Sequence, residues 1–203
     1  MNFTMRNPVI QEVLNNKYCE GCPILRRADC KERIGVRDRA LELNSQHVPE
    51  VVSILFVAES PPKAFMWKRS AYFYASGPER PRSLAYYINQ VLFKGRVGKD
   101  EFFRKFKELG FYLVDVVKCP IGGLSSQEVS RAIECCVKYL NEELEVLRPV
   151  KVVFIGRTMF KKARRFLNLG SRTYYVLPLP FRSVENVRKF KRELAKVLEQ
   201  ELK

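Results

Sequence analysis

Six cysteines in a chain of 203 residues are the side chains with the most specific chemistry. Cys19 and Cys22 form a C-x-x-C pair, Cys119 closes the apolar run Val116-Val117-Lys118-Cys119, and Cys136 falls on the apolar side of a long helical stretch beside Cys135. Four thiolates complete either a zinc site or an iron–sulfur centre. The C-x-x-C spacing lets two sulfurs reach one metal or one cluster edge. Cys119 and Cys136 belong to a strand end and the helix after it, so their sulfurs can converge. Cys30 is an additional thiol, eight positions after Cys22. The competing reading is packing, because free cysteine behaves as a small buried hydrophobe.

Three oxygen-bearing side chains form a second group. Glu59 and Ser60 follow the apolar run 51–58, and Asp115 lies within the run 111–117. Between them, residues 63–82 interleave aromatic rings with cations, among them Lys63, Lys68, Arg69, Phe73 and Tyr74. Such a segment can stack bases while its cations hold phosphates. Arg164, Arg165, Arg182, Arg188, Lys189 and Lys191 extend the basic track, or are solvated helix faces. The one histidine, His47, lies far upstream and reads as a surface or loop residue.

Alternation of periods supplies the elements that position these groups. Residues 7–16 and 36–43 read as helices, with a loop over 19–30 between them. Residues 51–58 form a buried strand ending in a Pro-Pro turn; helices follow over 82–93 and 99–109, then a strand over 111–117. Ser125 and Glu128 open a helix with a capping box. Its apolar face carries Val129, Ile133, Cys136, Val137, Leu140, Leu144 and Leu147. A strand over 150–155, a basic helix over 158–167, a strand over 173–177 and a helix over 184–202 complete the chain. Strands alternating with helices predict an α/β fold with a parallel sheet covered on both faces. Ligands of such sheets bind beyond the carboxyl ends of the strands. Glu59, Asp115, Cys119, Gly156 and the 178–182 turn all fall there. Residues 1–203 read as one domain, with an N-terminal helical and cysteine-bearing segment (1–48) and an α/β body (49–203).

The bulk composition narrows the function classes. A 46% hydrophobic content fits a globular chain with one good core. No apolar run of membrane-spanning length occurs, and the first residues lack the layout of a signal peptide. A cytoplasmic monomer without a membrane partner is expected, and there cysteines serve as ligands or thiols more than as disulfides. Abundant Lys, Arg and Glu with little Gln suit a thermophile, a setting in which intracellular disulfides persist. The formal charge of +15, from 37 basic and 22 acidic residues, points to a polyanionic partner, first of all a nucleic acid.

Taken in order, these motifs resemble the uracil-DNA glycosylase superfamily, most closely its iron–sulfur branch. The resemblance runs along nearly the whole chain. It rests on Cys19-Glu20-Gly21-Cys22, Ala58-Glu59-Ser60-Pro61-Pro62, Val114-Asp115-Val116-Val117-Lys118-Cys119, Glu134-Cys135-Cys136-Val137-Lys138-Tyr139-Leu140, and Arg148-Pro149 leading to Phe154-Ile155-Gly156. It implies a three-layer α/β/α sandwich around a four-stranded parallel sheet. It also implies a 4Fe-4S cluster on Cys19, Cys22, Cys119 and Cys136, with Cys30 and Cys135 outside it. Activity would be hydrolysis of the N-glycosidic bond of an extruded damaged or deaminated base in DNA repair. Glu59 and Ser60 would position the water, and Phe73, or Tyr74 beside it, would stack on the base. Lys63, Lys68, Arg69 and Arg182 would bind DNA.

Three positions depart from the family pattern. Ser60 stands where other branches place a carboxylate or amide, and a hydroxyl holds water but is a poor base. Asp115 stands where an asparagine reads uracil. A carboxylate only accepts, so it repels O4 of uracil and suits an edge that presents donors, or acts as a base. The family's histidine after the last strand is missing from Pro178-Leu179-Pro180-Phe181-Arg182-Ser183. A non-uracil or altered base preference is therefore expected. The alternatives are a catalytically inactive iron–sulfur protein of the same fold that binds nucleic acid, and a zinc-bound protein with an unrelated nucleotide ligand.

Overall fold

Four short strands, apolar nearly throughout, form a single parallel sheet in the order β2-β1-β3-β4. They are β1 (Ile54–Ala58), β2 (Phe111–Asp115), β3 (Lys151–Ile155) and β4 (Thr173–Leu177). The structure is a computed structural model and describes residues 7–15, 21–68, 72–181 and 183–199. Continuous burial of β1, β2 and most of β3 requires cover on both faces, which helices supply. The edge strand β4 is open at its start, as its Thr-Tyr-Tyr sequence allows. The expected α/β sheet of four parallel strands flanked by helices is what the structure contains.

The helices are α1 (Pro8–Asn15), α2 (Cys30–Gln46), α3 (Phe73–Ser76), α4 (Leu84–Leu92), α5 (Lys99–Glu108), α6 (Ser126–Leu147), α7 (Arg157–Ala163) and α8 (Val184–Leu198). Ser125 and Glu128 cap α6 reciprocally, as their spacing predicts. The second helix is longer than the expected 36–43. Its buried face carries Arg33, Arg37 and Asn44 among apolar residues, so hydrophobic periodicity hides its full extent. Two 3-10 turns, Pro23–Arg26 and Lys63–Met66, occupy segments without a helical pattern. Gly110 starts β2 with φ of 72°, and an added Cβ would lie 2.8 Å from the Val51 carbonyl oxygen, so only glycine fits there.

Packing joins the N-terminal helices to the sheet. Val9, Ile10 and Val13 of α1 pack with Leu41 of α2 and Tyr139 of α6. Arg33 is fully buried and donates to the carbonyls of Pro120 (2.6 Å) and Gly122 (3.0 Å), while its Nε and Nη2 also donate to the Asp29 carboxylate at 2.9 and 3.0 Å. This network fixes the loop that follows Cys119. His47, expected at the surface or in a loop, lies in the turn after α2 and is half-buried, with its ring stacked on Tyr74 at 4.6 Å between centroids. Burial pushes its imidazole down to about 4. No helix among the described residues is long and apolar enough to cross a membrane.

Candidate active site

Strand order puts β1 at the centre, with β2 on one side and β3 on the other, so the chain reverses direction across the sheet at β1. A crevice opens beyond the carboxyl ends at such a point. Here it is a cavity of about 620 Å³, within the usual range for a small-ligand site. Parallel pairing sets Ala58 opposite Asp115. Backbone bonds from Val116 N to Ala58 O (2.9 Å) and Val117 N to Glu59 O (3.1 Å) continue the alignment past the strands. Glu59 and Ser60 thus line one side of the cavity and Asp115 another, with Ile155 from β3 and Leu179 and Phe181 from beyond β4 closing it.

Asp115 is 4% exposed. The hydroxyl of Tyr72 lies 3.2 Å from its Oδ2 and 2.6 Å from Asn44 Oδ1. Burial pushes the Asp115 carboxyl up to about 7, with Glu143 and Glu59 adding to the rise and Lys118 and the Tyr72 hydroxyl opposing it. Lys118 is itself buried, donating to Glu143 Oε2 at 2.6 Å and to the Asp115 backbone carbonyl at 2.9 Å. Burial also drives the Glu143 carboxyl and the Tyr72 phenol upward.

The aromatic segment separates into wall and core. Phe73 lines the cavity and is 6% exposed, its ring edge-on to Tyr74, Phe102 and Phe103. Tyr74, the alternative stacking residue, points into the core instead. Its hydroxyl receives the Leu113 N–H at 2.8 Å, and its ring lies between His47 and Tyr112. Consecutive residues of a helical turn point about 100° apart, so one ring faces the cavity and the next does not.

The cations also sort by position. Lys63 lines the cavity but is paired with Asp29 at 3.0 Å. Hydrogen bonds from Arg33 and then Lys63 hold the Asp29 carboxyl well below the usual range. Lys68 is exposed beside Trp67, itself 69% exposed. Arg69 and Arg182 lie outside the described residues. Tyr72, Arg80 and Arg82 line the cavity without having been singled out as site residues. All three fall inside the basic aromatic segment, which was the available signal. Arg82 is held at φ of 64°, unusual for a residue with a side chain.

Cys22, Cys119 and Cys136 are buried members of one apolar cluster, while Cys30 and Cys135 are half-buried. The 3-10 turn after Cys22 packs on α6, which carries Cys136. Their donor chemistry suits a thiolate-bound centre. Among the described residues no three His, Cys, Asp or Glu side chains are grouped to hold a metal ion, and Cys19, the fourth expected donor, lies outside them.

A parallel α/β sheet with Glu59, Ser60 and Asp115 lining a cavity at its carboxyl ends defines a small-ligand-binding class. A model of the uracil DNA glycosylase superfamily matches residues 46–203. That match covers more than three quarters of the chain, and the chain belongs to this superfamily. No curated protein matches it.

Proposed function

We propose that the protein is a DNA-base glycosylase that extrudes a damaged or deaminated base into this cavity and hydrolyses its N-glycosidic bond. The observation that carries the reading is the placement of Glu59 and Ser60 on one side of a cavity roomy enough for a base and Asp115 on another. A flipped base is read at the bottom of such a pocket, and its sugar stays near the mouth. Asp115 faces the base edge and Phe73 one ring face. Glu59 and the Ser60 hydroxyl hold the water. Its oxygen bonds to C1′ as the C1′–N bond breaks. The bonding pair leaves with the base, and the water's proton passes to the Glu59 carboxylate. Arg80 and Arg82 at the cavity wall favour the charge that builds on the departing base. With Asp115 in an amide's place, base preference follows the charge state of that carboxyl.

Binding to DNA is read from the excess of 37 basic over 22 acidic residues, with exposed Lys68 beside the cavity segment and Arg69 and Arg182 as further contacts. Cys19, Cys22, Cys119 and Cys136 would hold a 4Fe-4S cluster, with zinc as the alternative. When bound, the centre would fasten the N-terminal segment to the sheet, and no step of the hydrolysis passes through it. A second reading, a nucleic-acid-binding protein without catalysis, is favoured by the place of His47, which is stacked under Tyr74 and cannot serve the cavity.

The test is incubation with oligonucleotides carrying uracil, hypoxanthine, xanthine or mismatched thymine, single- and double-stranded, followed by detection of abasic sites. Product from at least one, reduced in Glu59→Gln, is expected. No product from any, with salt-sensitive binding intact, selects the binding protein.

A further inference from the structure

We propose that Trp67 is a stacking platform for the base next to the one held in the cavity, with the Lys68 ammonium against the adjoining phosphate. This rests on the glycosylase reading and adds a subsite outside its cavity.

Trp67 is the single tryptophan of the chain and is 69% exposed. Its place is fixed by the 3-10 turn Lys63–Met66, where the Trp67 and Lys68 amides both donate to the Ala64 carbonyl, at 3.3 and 2.7 Å. Side chains within the turn anchor it. Phe65 is buried and stacked on Tyr72 at 5.4 Å between centroids. The Arg39 guanidinium lies 4.6 Å from the Phe65 ring centre and donates to the Phe65 carbonyl at 3.3 Å. Lys63 is tied to Asp29 at 3.0 Å. The indole thus stays in water on a packed support. A ring held in this way gives up little freedom when a flat ligand settles on it.

The same turn relates the indole to the cavity. Lys63 and Ala64 line the cavity wall. Side chains three apart eclipse in a 3-10 turn, so Trp67 leaves on the side that carries Ala64. Three residues advance about 6 Å. That leaves room for the neighbouring nucleotide of a strand, whose steps are about 3.4 Å when stacked and longer when pulled apart. Extrusion of a base leaves its neighbour with one face unstacked, and an indole replaces the lost partner whatever the neighbour's identity, because every base has a π-face. Charge selects the same partner. Lys68 is exposed beside the indole. Asp29 is committed to Arg33 and Lys63, so it does not repel a phosphate as a free carboxylate would. The formal charge of +15 favours a polyanion over an apolar protein surface.

The experiment uses the full-length protein with two single-stranded oligomers of about twelve units, one of thymidines and one of abasic sugars that keep the phosphates and lack the bases. Excited beyond tyrosine absorption, the emission reports Trp67 alone. Thymidines should quench it, and the abasic oligomer, bound through charge, should leave it unchanged. Trp67→Leu should weaken binding of the thymidine oligomer about 5- to 150-fold, the worth of one base–aromatic stack, and leave that of the abasic oligomer as it was. As an exposed substitution it should melt as the natural chain does. Among abasic oligomers holding two thymidines, an adjacent pair should bind more tightly than a widely separated pair, and Trp67→Leu should erase the difference. Lys68→Gln should weaken binding of the thymidine and abasic oligomers alike and lower the salt slope by about one. Emission unchanged by thymidines, equal losses for both oligomers in Trp67→Leu, no preference for the adjacent pair, natural affinities in Lys68→Gln, or emission moved by phosphatidylserine vesicles instead overturns the inference. Excision of a base without quenching overturns it and leaves the glycosylase reading standing. Quenching and selective loss without excision of any base support it and remove the glycosylase reading.

Discussion

Lys118 Nζ lies 2.6 Å from Glu143 Oε2, with the two side chains 3% and 1% exposed. The pair joins the turn after β2 to the C-terminal part of α6, and Lys118 also holds the backbone of Asp115. Removing one partner of a buried pair strands the other charge, at about 3–5 kcal/mol. Lys118→Met should therefore lower stability by about that amount in urea unfolding. The double variant Lys118→Met with Glu143→Leu should recover much of the loss. If the double variant is no better than the single, the cost comes from lost packing and not from the stranded carboxylate.

Asp115 makes a separate prediction about stability and pH. Its carboxyl rises from an ordinary 3.8 to about 7 on folding. The folded state thus binds more protons than the unfolded one between those values, and stability falls as pH rises through that window. The full loss above it is on the order of 4 kcal/mol. His47 works in the opposite sense, because its folded value near 4 lies below the ordinary 6.5 and stability falls as it is forced to charge in acid. The two slopes oppose each other, so the difference between the natural chain and Asp115→Asn is the quantity to measure. Asp115→Asn should gain on the natural chain as pH rises from about 4 to about 7, then stay level. A constant difference across pH would show that the carboxyl is not raised.

The sheet was legible because buried parallel strands are nearly continuous apolar runs, and β1 to β4 each lie within their expected bounds. Glu59 and Asp115 were legible as neighbours for the same reason, since strand ends in one parallel sheet share a rim. Tyr74 was not. Aromatic residues at every position of 72–74 carry no periodicity, and only the turn of α3 decides which ring lines the cavity. The raised carboxyl of Asp115 was also out of reach, because it depends on Glu143 arriving from α6 and on Asn44 and Tyr72 closing over it.

Phe73 and Tyr74 should separate cleanly on substitution. Phe73→Leu keeps an apolar side chain but removes the ring from the cavity wall. Base binding should weaken by about 1–3 kcal/mol, the usual worth of a base–aromatic stack. Tyr74→Phe keeps the ring and deletes the hydroxyl that receives the Leu113 N–H at 2.8 Å. That strand is an edge of the sheet, so the amide loses its partner at about 1–3 kcal/mol of stability. Melting curves and oligonucleotide affinity together make the distinction. A Tyr74→Phe variant that binds weakly but melts normally would return Tyr74 to the base site.

The cysteines offer the last contrast, between adjacent residues of α6. Cys136 is buried in the same cluster as Cys22 and Cys119, whereas Cys135 is half-buried at its margin. One helical step turns a side chain by about 100°, so only one of the two can face Cys119. Protein produced with iron and handled without oxygen should be brown, with broad visible absorbance. Cys136→Ala should lose the colour and most of the iron, and Cys135→Ala and Cys30→Ala should keep both. Colourless protein that carries one zinc per chain, lost in Cys136→Ala, would assign the same ligands to zinc. Equal metal content in Cys136→Ala and Cys135→Ala would mean that Cys136 packs as an ordinary core residue. Metal loss should also lower the melting temperature, because a centre spanning residues from Cys19 to Cys136 contributes its binding free energy to folding.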